Sequence, residues 1–255
     1  MLKQSSSTVL TLCRLFRRKC LVELSLPVQN ELDFIEETAG GNPKNYQMWF
    51  HRRELCSKNP QLALGEIAYS SRVLNHDAKN YHAWSHRQWA IIVAGNFDED
   101  LGFTHALLDK DGRNNSAWNH KWFLVTQGSS LQLSKEALLE QLSELGPFLS
   151  AAPSNEAAWN YFKGLLQQKA AIDEQVQGAA EAVHSAAQLS QASLGDKSNA
   201  AQPLAAKLHL LQLRKKASGE SLAAEFRQAC SELIAVDPIR ARYWARRQVD
   251  FAQAC

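Results

Sequence analysis

The chain has 255 residues, 45% of them hydrophobic and 21% charged, with a formal net charge of +2. That composition is ordinary for a globular protein long enough to bury a sizeable core, and the near-zero balance gives no global drive toward nucleic acid or an anionic membrane. No apolar run approaches the length needed to span a bilayer, and the five cysteines, at 13, 20, 56, 230 and 255, form no C-x-x-C pair, so neither a zinc ribbon nor a redox motif is written.

The cysteines are odd in number and widely spaced, as for reduced thiols in a cytoplasmic protein. Cys255 is the last residue of the sequence, not four from its end, so no C-a-a-X box of its own is expected. The opening stretch MLKQSSSTVLTLCRLFRRKC is Ser-rich and basic, with no acid before Glu23. That pattern is shared with organelle transit peptides. Residues 1–15 are expected to form an atypical N-terminal segment, and residues 16–255 a single helical-repeat domain.

Next come LPVQNELDFIEETA from Leu26, with helical spacing of its apolar residues, and then KNYQMWFHRR at 44–53. This phrase returns as KNYHAWSHRQW from Lys79, RNNSAWNHKWF from Arg113 and SNEAAWNYFKG from Ser154. Trp49, Trp84, Trp118 and Trp159 are separated by 35, 34 and 41 residues. A period in this range points to a helical-repeat solenoid. Asn45, Asn80, Asn114 and Asn155 each stand four before their Trp, where Asn caps a helix by accepting from a free N–H of the first turn. Each phrase therefore starts a helix with Trp as its packing anchor. Arg52, Arg87 and Lys121 follow the Trp by three residues, on its face of the helix. Arg52, Arg53 and Arg87 suit pairing with acids of the adjacent helix. Second helices lie between the phrases, from Leu62, Phe97 and Ser134. Short connections make paired helices antiparallel. The fold class is all-α: an alpha-alpha superhelix of stacked helical hairpins.

Repeats are clear over 16–165 and degenerate over 166–255. Helical stretches are expected near 171–193, 201–217 and 219–235, with a break at Leu194–Asn199. VDPIRARYWARRQ then restores a Trp at 244 with Arg247 three residues on. At the front, counting 35 back from Trp49 gives Arg14. Phe16, Arg17 and Arg18 match His51, Arg52 and Arg53, so residues 16–25 read as the remainder of an earlier repeat.

Stacking places the helix N-termini along one edge, where the macrodipole and free N–H groups attract anions. Lys44, Lys79 and Arg113 lie there, with His82 nearby, while Ser154 and Glu156 reverse the sign in the fourth copy. The expected ligand of this strip is phosphate. His82 and His86 have a spacing that can chelate zinc, but no Cys or Asp completes a set. No nucleophile–base pair, glycine-rich phosphate loop or paired catalytic carboxylates are written. The chain reads as a scaffold or a subunit.

NPKNYQMWFHRR, DAKNYHAWSHRQW, GRNNSAWNHKWF and SNEAAWNYFKGLL, in that order and spacing, resemble the α subunit shared by protein farnesyltransferase and protein geranylgeranyltransferase type I. The closing VDPIRARYWARR is similar to the last repeat of plant-type members. The resemblance implies a β-subunit partner that holds the catalytic zinc and most of the isoprenoid and peptide pocket, with magnesium accompanying the prenyl diphosphate. Zinc binds the Cys of a C-a-a-X protein substrate as thiolate, which attacks C1 of the prenyl diphosphate, and donors must meet the charge developing on the leaving group. By the same resemblance Lys44 contacts the diphosphate as the catalytic residue, with Tyr46 beside it. Gln47 binds the substrate's C-terminal carboxylate, and Asn80, Tyr81 and His82 lie near the diphosphate. No metal is held by this chain. Two other readings compete. One is a non-catalytic repeat scaffold, which has no need of Lys44 and Gln47. The other is the α subunit of the Rab-type geranylgeranyltransferase, a class that carries long inserted and C-terminal domains for which 255 residues leave no space.

Overall fold

Each repeated phrase begins a helix, and its asparagine is the first reason. Asn45, Asn80 and Asn155 have extended backbones. Their side-chain oxygens accept from first-turn N–H groups: Gln47 at 3.1 Å, Ala83 at 3.0 Å and Ala157 at 3.2 Å. Asn114 accepts from Ser116 at 3.0 Å in the same way. The tryptophan is the second reason. Its indole N–H donates to the carbonyl six residues earlier: Trp49 to Pro43, Trp84 to Ala78, Trp118 to Gly112 and Trp159 to Pro153, all at 2.7–2.9 Å. Cap and indole together fold the entering loop back onto the first turn.

The computed structural model describes residues 2–39, 41–57, 59–127, 132–194, 201–218 and 222–253. Among them the regular elements are all helical: α1 (Leu2–Glu23), α2 (Val28–Ala39), α3 (Tyr46–Cys56), α4 (Pro60–His76), α5 (Tyr81–Ala94), α6 (Phe97–Lys110), α7 (Asn115–Gln127), α8 (Lys135–Ala151), α9 (Glu156–Leu166), α10 (Glu174–Leu194), α11 (Ala201–Ser218), α12 (Ala223–Val236) and α13 (Ala241–Gln253). Short 3₁₀ turns lie at Lys169–Ile172 and Pro238–Arg240. The chain divides into two compact units, Met1–Phe103 and Thr104–Cys255.

Boundaries depart from expectation where a local contact decides them. The helix read from Leu26 starts at Val28, after a turn in which Ser25 adopts a left-handed φ of 50°. The stretch expected from 171 opens as a 3₁₀ turn, and α10 begins only at Glu174 because the Asp173 side chain accepts from Gln175 N at 3.0 Å. The helix expected over 219–235 is α12. Residues 219–221 lie outside the described residues, as do 195–200 of the expected break. α1 runs unbroken through residues 15 and 16, the border drawn for the atypical segment.

In the first unit α2 packs on α3, and α4 packs more extensively on α5 than on α3. Leu32, Cys56, Trp89 and Ala90 form a buried cluster covered by Leu55, Leu62 and Ile67. A second layer of order is ionic. Arg52 donates through Nε and Nη2 to both oxygens of Glu66 at 2.8 and 2.7 Å, and His86 of the next phrase meets Glu66 Oε2 at 2.7 Å. Arg17 and His51 meet Glu31 in the same way, with Arg17 Nε at 2.7 Å and His51 Nε2 at 3.0 Å. Arg17 thus does for Glu31 what Arg52 does for Glu66, as its register with Arg52 implied. Arg87 grips Asp100 through Nε at 2.9 Å and through Nη2.

In the second unit α9 packs on α7, α8 and α11, α10 on α8, and α12 on α11 and α13. Phe226 and Phe251 stack at 3.8 Å among Leu208, Leu211, Leu233 and Trp244. Lys121 pairs with Glu144 at 2.5 Å. An asparagine joins successive phrases in this unit: Asn155 Nδ2 donates at 2.6 Å to Gly112 O, the carbonyl already holding the Trp118 indole.

Candidate functional site

The starts of α3 and α5 carry the residues singled out in the sequence. In the first two phrases Asn caps the helix and Trp, His and Arg are buried, so the first, third and seventh letters face solvent and the fourth is half-buried. Lys44 is exposed and has no hydrogen bond or ion pair among the described residues. Tyr46 is 64% exposed and Tyr81 76% exposed, although both are large apolar rings at helix starts. The Tyr81 ring meets His82 edge-on at 5.6 Å. Tyr46 and His82, from consecutive phrases, line one shallow cavity of about 170 Å³ together with Phe50, Arg53 and Ser85. Lys44 stands two residues before Tyr46 and Lys79 three before His82, so both lysines flank the helix starts that form it.

Gln47 does not line that cavity. Its Oε1 accepts from Arg14 Nη1 of α1 at 2.6 Å. Arg14, which occupies the place of a missing Trp, therefore brings a guanidinium to α3 one residue beyond Tyr46. Arg18 follows it, with Nη1 2.9 Å from His51 Nδ1. Asn80 is 4% exposed, and its polar atoms are occupied: Oδ1 caps Ala83 and Nδ2 makes a long 3.4 Å bond to Pro43 O, the carbonyl that holds the Trp49 indole. Its geometry is that of a cap and a tie between repeats. In the second unit Arg113 Nη2 donates to Ser154 Oγ at 3.0 Å, so the third phrase's basic letter reaches the fourth phrase's first letter.

Electrostatics separates buried clamp from open edge. Burial pushes the Glu66 carboxyl up, but hydrogen bonds from His86 and Arg52 and their charges outweigh it and hold the group below its ordinary range. Glu31 is lowered by the same balance through Arg17 and His51. Burial lowers His51, and Arg18 and Arg14 add repulsion that its bond to Glu31 only partly offsets. His86 is 4% exposed and turned to Glu66, which removes it from any chelating pair with His82. Among the described residues no group of three or more His, Cys, Asp or Glu side chains is placed to hold a metal ion. The donor set here does not fit zinc, and what the edge offers is cationic and hydrogen-bonding help to an anion.

Two features escaped sequence reasoning. Arg14 was noticed as a departure and not as a partner of Gln47. The shared carboxylate was also missed, although Glu31, Glu66 and Asp100 are spaced by 35 and 34 residues, the same intervals as the first three tryptophans.

Residues 28–59, 64–92 and 97–128 match the family "Protein prenyltransferase alpha subunit repeat". Each matched segment begins near the helix preceding a phrase, so the family's frame starts one helix before the frame read from the phrases. The chain is similar to the geranylgeranyl transferase type-2 subunit alpha of Bos taurus, 31% identical over 153 residues, which is 56% of this chain and 27% of that protein. The protein of the same name from Sus scrofa is 31% identical over 162 residues, 60% of this chain and 29% of its own length. The match thus spans less than a third of these relatives. Among solved structures, "Candida albicans protein geranylgeranyltransferase-I complexed with GGPP" superposes with a TM-score of 0.70 and 25% identity, over 93% of this chain and 78% of that one.

Proposed function

We propose a function for this chain from its membership of the prenyltransferase alpha-subunit repeat family: it is the α subunit of a heterodimeric C-a-a-X protein prenyltransferase, active in the cytoplasm only with a β subunit. The observation that carries this reading is the exposed edge of the first unit. Tyr46 and His82 share one cavity there, and Lys44 and Lys79 each stand one residue before the Asn that caps the helix bearing them. A scaffold that used the phrases for packing alone has no use for an exposed tyrosine and lysine at this edge. Lys44, Tyr46, Tyr81 and His82 would face the diphosphate of a farnesyl or geranylgeranyl donor, with its magnesium. Gln47, held by Arg14, would receive the carboxylate of the C-a-a-X protein. The zinc that activates the substrate thiol belongs to the β subunit. Asn80 serves this site by fixing the start of α5.

A type-2 α subunit is the second reading, favoured by the names of the curated relatives. Chain length does not decide against it, because those relatives match this chain only through a short part of themselves. Co-expression with farnesyltransferase, type I and type-2 β subunits, followed by purification and transfer onto a C-a-a-X peptide, tests both. The proposal expects a complex with a farnesyltransferase or type I β subunit and transfer to the peptide. Assembly with the type-2 β subunit alone would overturn the C-a-a-X assignment, and failure to assemble with any would overturn the subunit role.

A further inference from the structure

The second unit contains a cationic cavity whose lining shares no residue with the α3–α5 edge. It measures about 420 Å³ and is lined by Lys163 of α9, His209 of α11, Arg240 of the 3₁₀ turn before α13, and Tyr243 and Arg247 of α13. Ala205, a small residue on α11, also lines it and leaves room between the long side chains, while Trp244 closes one wall. No acidic residue is part of the lining.

Its charges are poorly compensated from within. Arg240 Nε pairs with Asp237 at 2.6 Å, and that carboxylate also accepts from the Trp244 indole at 2.8 Å. Arg247 donates only to neutral oxygens, Tyr243 Oη at 2.9 Å and Gln212 Oε1 at 3.1 Å. Lys163 and His209 have no hydrogen-bond partner among the described residues. Three permanent cations thus face one carboxylate in contact, with Glu156 acting on Lys163 only through its field. The excess is about two positive charges. Arg247 makes the contrast clear. It follows Trp244 by three residues, as Arg52 and Arg87 follow their tryptophans, yet those two hold a buried carboxylate and Arg247 holds none among the described residues.

A half-buried lysine and a half-buried imidazole beside two arginines, without a partner, are costly to keep unless something anionic enters. One carboxylate would leave the cluster under-neutralised, whereas a doubly or more highly charged group with several acceptor oxygens matches both the excess and the donor set. Arginine forks are suited to phosphate in two-pronged contact, and lysine to phosphate as a point charge. We propose that this cavity between α9, α11 and α13 is a binding site for a small phosphate- or diphosphate-bearing molecule, held by Lys163, Arg247 and Arg240, with His209 as a further donor. The site is distinct from the α3–α5 edge and does not depend on the prenyltransferase reading.

The surroundings supply a reporter. Burial first, then Arg247 and Lys163, push His209 down to about 4. An anion in the cavity would screen those cations and draw the imidazole back toward its ordinary value. The test titrates the full chain with inorganic pyrophosphate, following affinity by calorimetry and His209 by imidazole NMR. The expected result is saturable binding with a rise of the His209 pKa. Binding should weaken at least tenfold in Lys163→Gln/Arg247→Gln and persist in Lys44→Ala. Pyrophosphate binding that leaves His209 unmoved would overturn the proposal, and this readout needs no variant to fold. Loss of binding in Lys44→Ala with retention in the double variant would also overturn it, by moving the anion to the other edge.

Discussion

Glu66→Gln isolates the ionic layer of the first unit. Glu66 is 1% exposed and Arg52 3% exposed, and the carboxylate accepts three short bonds, two from Arg52 and one from His86. The amide keeps the shape but turns one acceptor oxygen into a donor N–H facing a guanidinium or an imidazole nitrogen. It also leaves the guanidinium without its counter-charge, with the one remaining amide oxygen, Leu32 O at 3.0 Å and the Tyr69 ring, whose centroid lies 3.7 Å away, as its partners. Breaking a buried pair by removing one partner costs about 3–5 kcal/mol. For a domain of this size that is a fall in Tm on the order of 10 °C. Calorimetry with far-ultraviolet circular dichroism measures it, and a paired Arg52→Met/Glu66→Met variant provides the control. The pair removed together should cost clearly less than Glu66→Gln, because no stranded charge is left inside. A loss below about 1 kcal/mol for Glu66→Gln, the range of exposed ion pairs, would refute the reasoning.

The same carboxylates set an acid limit. Glu31 and Glu66 titrate below their ordinary 4.5 when folded, so the stability they supply is fully present above that value and is lost as pH falls through the folded pKa. Tm should therefore begin to drop below about pH 4.5, and less steeply in Glu66→Gln. Asn80→Ala removes a cap and a tie, and urea unfolding should show a loss of about 1–2 kcal/mol. In a complex with a β subunit, Lys44→Ala should slow prenyl transfer about tenfold, the effect of roughly 1.4 kcal/mol from one partly screened charge, while assembly is unchanged. Unchanged turnover would refute the proposed contact of Lys44 with the diphosphate. Arg14→Ala frees the Gln47 amide and should raise KM for a C-a-a-X peptide several-fold with kcat retained; an unchanged KM would separate Arg14 from the carboxylate site.

Much of this was legible because repetition exposes what packing demands. Asn at four before Trp recurs in all four copies and a basic residue at three after in three of them, since every hairpin solves the same capping and anchoring problem. That is why the helices over 44–166 could be placed closely from spacing alone. The carboxylate shared by Arg52 and His86 was less visible, because it and its two partners come from three helices and only their combined register reveals them. Arg14 was harder still. Nothing in a sequence interval says that a guanidinium in place of an indole will reach Gln47, which requires the relative rotation of α1 and α3. The cationic cavity of the second unit was hidden for a related reason. Lys163, His209 and Arg247 lie far apart in sequence and meet only when α9, α11 and α13 pack.

The division of the phrase into inward and outward letters explains how one motif can serve both stability and chemistry. In the first unit the capping Asn, the Trp, the His and the Arg after it are each held by at least one specific hydrogen bond, so substitution there is felt through folding. The positions left over, at five, three and two residues before the Trp, are Lys44, Tyr46 and Gln47 in the first copy and Lys79, Tyr81 and His82 in the second. They sit on helix starts already fixed by the cap, where the macrodipole adds a partial positive charge. They can therefore change without unfolding the hairpin. In the fourth copy the same slots hold Ser154, Glu156 and Ala157, and Glu156 places a negative charge on that helix start. Anion affinity at such an edge is thus set chiefly by the first and third letters, because the fourth is drawn into the fold as Gln47 bonded to Arg14 and as buried Ala157. It follows that grafting Ser154→Lys/Glu156→Tyr, which gives up the one exposed hydrogen bond from Arg113 to Ser154, should cost no more than about 1 kcal/mol, while giving the α9 start affinity for pyrophosphate. A large loss of stability from that graft would show that the outward letters also carry the fold.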